Sequence, residues 1–133
     1  MEILAELHAS MGSSDFRVDL KTDNHRWVAD EPAGLGGADA GPNPYELLLS
    51  SLSSCSAITM KMYAGRKGWP LEGAEVHCHL IKDESGGPNR IIRRIGIKGE
   101  LDEEQKNRLI QIACLCPVHK MLGPAIPIET LAV

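Results

Sequence analysis

The sequence predicts an α+β fold in one domain over residues 1–133, with antiparallel sheets around one long helix, and three observations carry that prediction. Strand-like segments come in hairpin pairs and do not alternate with helices, which argues against a doubly wound parallel sheet. One helical segment, opening at Pro44, is longer and more apolar than any other. The third is size: 133 residues can bury a core, but so small a chain has little surface with which to cover such a helix on all sides.

Element by element, residues 2–9 read equally as helix or strand. From Phe16 to Lys21 the chain alternates at period two, Asp23-Asn24 offers a turn, and Arg26 to Ala29 follows, so a hairpin or small meander is predicted. Pro32 to Pro44 is too rich in glycine and proline for a regular element and reads as an ordered loop. The long helix then starts with Asn43 as N-cap, Pro44 in the first turn and Glu46 placed to close a capping box. It runs about six turns, and Gly65, Gly68 and Pro70 stop it. Val76–Lys82 and Arg90–Lys98 form a second hairpin across Ser85 to Asn89. Its second strand carries Arg90, Arg93, Arg94 and Lys98, read as a solvated basic face. Asp102 with Gln105 caps another helix, which Pro117 breaks or restarts. Ile126 to Val133 closes the chain as a strand.

On a helical wheel Leu48, Leu52, Thr59 and Met62 surround Cys55, while Leu47, Leu49, Ile58 and Tyr63 are apolar elsewhere on the circumference. Such a helix needs cover nearly all round. Small residues at Ser50, Ser53, Ala57 and Ala64 allow another backbone close, so a homodimer is expected.

Composition narrows the function classes. With 43% apolar and 24% charged residues and a formal charge of −4, the chain offers no attraction to nucleic acid or to anionic lipid. No apolar run has the length and freedom from charge of a membrane span, and the acidic N-terminus is unlike a secretory signal, so a cytoplasmic location is expected. In a reducing compartment four cysteines are not a disulfide framework.

Cys55 sits in the middle of the long helix, where it could simply pack as a small hydrophobe; a reactive thiol there needs a cation from elsewhere, with Arg17, Arg26 and His119 as candidates. Cys116 is better placed by its own neighbours. Pro117 suits a first helical position, leaving Cys116 near an N-cap whose unpaired amides stabilise a thiolate. His119 falls on the same face and could either support that thiolate or cap a carbonyl. Cys114 reads as packing. His77-Cys78-His79 alternates across a strand and lacks zinc-finger spacing, so no metal and no other cofactor is expected.

The stretch GPNPYELLLSSLSSCSAITMKMYA together with CPVHKML resembles the OsmC/Ohr group, the osmotically inducible and organic hydroperoxide resistance proteins, and Ala29-Asp30-Glu31-Pro32 with Gly36-Gly37 and Gly41-Pro42 is similar to its OsmC-like subgroup. That resemblance, from about Phe16 onward, implies an intertwined homodimer in which sheets wrap two central helices, with an active site at each subunit interface. It implies a hydroperoxide substrate, attack on it by Cys55, resolution by Cys116 as an intramolecular disulfide, and a dithiol reductant. The family's peroxidases place a glutamate directly after Asn-Pro and pair it with an arginine from the N-terminal region. Here that position is Tyr45, and Arg17 is the nearest arginine in chain order. A non-enzymatic alternative on the same fold, redox sensing or binding of a small apolar ligand, stands beside the peroxidase reading.

Overall fold

Period-two alternation in the first third of the chain is realised as a three-stranded antiparallel meander. Strands β1 (His8–Met11), β2 (Val18–Lys21) and β3 (Arg26–Ala29) lie in that order. Leu20 pairs with Ala9 on one side and Trp27 on the other, and Lys21 pairs with Arg26 across the turn. The computed structural model describes residues 1–13 and 15–133, divided into two units, Met1–Leu48 and Leu49–Val133.

Within the first unit the Pro32–Pro44 loop is ordered by one carboxylate. Asp30, buried at the end of β3, accepts the amides of Glu31 (2.8 Å), Ala40 (3.1 Å) and Ala38 (3.3 Å). These amides hold its pKa below the usual carboxylate value, Ala40 contributing most and burial opposing them. A short 3-10 turn at Ala33–Leu35 lies inside the loop. Gly41 is required by close approach, since a Cβ there would stand 2.0 Å from the Val28 carbonyl oxygen.

Helix α1 (Pro44–Lys67) starts as its sequence dictates. The Glu46 amide donates to Asn43 Oδ1 (2.9 Å) and the Asn43 amide donates back to Glu46 Oε1 (3.1 Å), a complete capping box.

In the second unit β4 (Leu71–Ile81), β5 (Arg90–Gly99) and β6 (Ile128–Ala132) form a sheet in that order. β4 and β5 are the expected antiparallel hairpin. β6, however, lies parallel to β5, with Arg93 beside Thr130 and Ile95 beside Ala132. The expectation of purely antiparallel sheets is therefore corrected. Between β5 and β6 the chain passes through α2 (Glu103–Ala113) and α3 (Pro117–Leu122), and a helical crossover returns a strand in its starting direction. α2 opens on its own capping box, Asp102 with Gln105, at 2.7 and 2.9 Å.

Helix α1 buries a narrow stripe, Leu52, Ser56, Met60 and Ala64, spaced every four residues. Period two on β5 turns Ile91, Arg93 and Ile95 inward. Two apolar clusters result. Met60, Ala64, Leu71, Ile95, Leu109 and Ala113 make one; Leu52, Ile91 and Cys116 make the other, with Cys55 and Cys78 packed against it. Each fully buried Leu or Ile contributes about 1.5–3 kcal/mol of transfer free energy. In both the helix stripe and the strand, one polar residue separates the members of the two clusters: Ser56 and Arg93.

Candidate active site

Cys116 is held by the break between α2 and α3. Its amide donates to the Ala113 carbonyl, its backbone is extended, and Pro117 takes the first helical position, so its sulfur becomes the N-cap of α3 and accepts the His119 amide at 3.4 Å. The thiol is fully buried. Burial pushes its pKa up, as do a hydrogen bond and charge interaction with the Cys55 side chain; the His119 amide and the Arg93 charge oppose the rise. Burial thus favours the protonated form of Cys116.

Cys55 comes from α1, half-buried, one turn along from Leu52, and meets Cys116 against Leu52 and Ile91. Leu49, Val118, Leu122 and Ile126 complete an apolar wall. Two thiols 61 positions apart in the chain are brought into side-chain contact, and all four cysteines are free.

Beside them lies Arg93, fully buried. Its Nη1 donates to Ser56 Oγ (2.9 Å) and the Ala113 carbonyl (3.5 Å). Nη2 reaches Thr130 Oγ1 (2.8 Å), His119 Nδ1 (2.8 Å) and Cys114 Sγ (3.5 Å), and Nε reaches Thr130 Oγ1 (3.2 Å). Arg93 also stands opposite Cys78 in the β4–β5 register, and Cys78 Sγ accepts the Ser53 hydroxyl at 3.2 Å. Burial first, then the Arg93 charge, lowers the His119 pKa below its ordinary 6.5, which keeps the imidazole neutral. A neutral ring that accepts from Arg93 at Nδ1 carries its proton at Nε2.

Cys116 thus touches Cys55 on one side and accepts the His119 amide on the other. Arg17 and Tyr45 belong to the other unit and are exposed; Arg17 bonds Asp19 at 3.1 Å and Tyr45 stands in the first turn of α1. Two readings need correction. Cys114 is more than packing, because it accepts a hydrogen bond from Arg93. The basic strand is not wholly solvated: Arg94 and Lys98 lie on its outer face, but Arg93 alternates inward between two isoleucines. The period of IIRRIGI carried that signal, since positions 91, 93 and 95 share a face. Among the described residues no group of three or more His, Cys, Asp or Glu side chains is placed to hold a metal ion, and no helix is long and apolar enough to cross a membrane.

Comparison with known proteins supports the architecture. An OsmC-like protein from Mycoplasma pneumoniae superposes with a TM-score of 0.84 at 19% identity, covering 100% of this chain and 98% of that one. The organic hydroperoxide resistance protein OhrB of Bacillus subtilis gives 0.71 at 21% identity, with 98% of each chain covered. An organic hydroperoxide resistance protein OsmC from Legionella pneumophila gives 0.74 at 18%, again with 98% of each covered. At these identities the likeness establishes the fold. No curated protein matches the chain in sequence. The family model for OsmC-like proteins matches residues 36–131, most of the chain and all of the thiol cluster, and the chain belongs to that family.

Proposed function

We propose that this protein is a thiol-dependent hydroperoxide reductase in which Cys55 attacks and Cys116 resolves. The observation that carries the reading is the packing of Cys55 against the buried cluster that holds Cys116, which brings the two thiols together. The Cys55 thiolate displaces on the O–O bond; Cys55 becomes a sulfenic acid, and the leaving alkoxide takes a proton to depart as an alcohol. The Cys116 sulfur then attacks that sulfenic sulfur, water leaves, and a Cys55–Cys116 disulfide forms. An external dithiol returns both thiols and is itself oxidised to a disulfide. The resistance proteins among the structural relatives support hydroperoxides as the substrate class, and the apolar wall of leucines, Val118 and Ile126 favours organic ones.

In this reading the 133 residues act as one functional domain, in a reducing cytoplasm, without metal or other cofactor. The working form is an intertwined homodimer with α1 at its centre. Exposed Ile58 and Met62 on α1, and exposed Phe16 and Trp27 in the first unit, support a second copy as their cover. Tyr45 favours a second reading, redox sensing or binding of a small apolar molecule, because it stands where the family's peroxidases carry glutamate.

Consumption of cumene hydroperoxide with a dithiol separates the two. Cys55→Ser should abolish turnover, and Cys116→Ser should leave one rapid turnover followed by over-oxidation of Cys55. Full activity in Cys55→Ser would overturn the assignment. A parent protein that binds without consuming peroxide would favour the second reading.

A further inference from the structure

Among the described residues the buried guanidinium of Arg93 has hydrogen-bond partners but no ion pair with a carboxylate. An arginine is ionised at every accessible pH, and a charge removed from water needs an opposite charge or dense hydrogen bonding. Its partners include no carboxylate: they are two hydroxyls, a carbonyl, a cysteine sulfur and an imidazole kept uncharged. Among the described residues the salt bridges are Arg17–Asp19 and Lys98–Glu75, and Arg93 enters neither.

Each element packed around it tells the same story. α1 offers Ser56; β4 offers Cys78; the end of α2 offers Cys114; α3 offers His119 and Cys116, which in turn touches Cys55; β6 offers Thr130. On its own strand Arg94 turns the other way, towards His79, and Glu129 beside Thr130 is exposed. Among the described residues, the groups facing Arg93 that can become negative are the cysteines.

We propose that Arg93 is the positioning residue for thiolate charge in this cluster, its missing counter-ion being a cysteine sulfur that has given its proton to solvent. Cys114 already accepts its Nη2–H, and the Arg93 charge also reaches Cys116, the thiol that touches Cys55. A cation within hydrogen-bonding reach stabilises a thiolate and makes it nucleophilic at neutral pH. The inference deepens the peroxidase reading, but it concerns the resting reduced protein and is read without peroxide.

The test is the pH profile of iodoacetamide alkylation of the fully reduced protein, with each cysteine followed by peptide mass mapping. Arg93→Met and Arg93→Gln should slow labelling at Cys55 and Cys114 about tenfold or more at pH 7 and move the midpoint up by about one pH unit or more. Arg93→Lys, keeping the charge without the fork, should recover much of that shift. Unchanged profiles in the folded neutral variants overturn the proposal, as does a lysine variant no better than methionine. Should the neutral variants fail to fold, thiolate absorbance at 240 nm decides on the parent: a band at pH 7 supports the proposal, and none below about pH 8 overturns it. A parent inert to hydroperoxide yet showing the Arg93-dependent profile would remove the peroxidase reading and leave this one standing.

Discussion

Asp30 takes up two amides, those of Ala38 and Ala40, in a loop whose other turns close on their own carbonyls, as Gly37 does on Pro32. Its pKa is depressed, so its bonds contribute fully above the ordinary value of 3.8 and are lost as pH falls through the lower native value. Asp30→Asn should therefore be less stable than the parent at neutral pH, and the gap should narrow below about pH 3.8. Urea midpoints at several pH values check this, and a gap constant with pH would contradict it. That Pro32–Pro44 is an ordered loop was readable from composition; which residue orders it was not, since an aspartate is an ordinary residue at the edge of a loop. Arg93 was hidden differently. Counting arginines suggested a solvated face, whereas the alternation in the same five residues pointed one of them inward.

The elements followed their local chemistry closely. Both capping boxes form as their residue spacing requires, and Cys116-Pro117 restarts a helix as proline geometry demands. Asp102→Ala removes an acceptor from the first turn of α2 and should cost about 1 kcal/mol of stability. Asp102→Asn, which retains an acceptor, should recover most of it; chemical denaturation of the two variants measures the difference, and equal losses would show the cap is not the cause. Strand direction was less legible. β6 carries nothing in its own residues to say whether it joins β5 parallel or antiparallel; the length and helicity of the connection decide it, and that is a property of the whole unit. Residues 2–9, read as helix or strand, are neither until His8, where four exposed residues gain their strand form from pairing with β2.

At the scale of the molecule the expected dimer rests on surface left uncovered. Met62 is 62% exposed and Ile58 54% on a helix whose opposite stripe is fully packed. Three four-residue strands that bury little beyond Leu20 and Ala29 form a small core for the first unit. Sedimentation should give a dimer at micromolar concentration, and Met62→Lys should raise the monomer fraction at least tenfold at equal concentration. A parent that sediments as a monomer would refute the assembly. The Arg93 cage also has a consequence for how the chain reaches its native state. Ser56 lies 37 positions before Arg93 and Thr130 37 after it, so no local segment can build the cage. Two long loops must close before the guanidinium loses its water, and chain entropy opposes each closure. The guanidinium therefore gains its hydrogen-bond partners only once the tertiary structure has assembled. Until then the thiols lack their fixed neighbours, so an oxidant met during folding would pair them by chance, and one met afterwards would pair them by geometry.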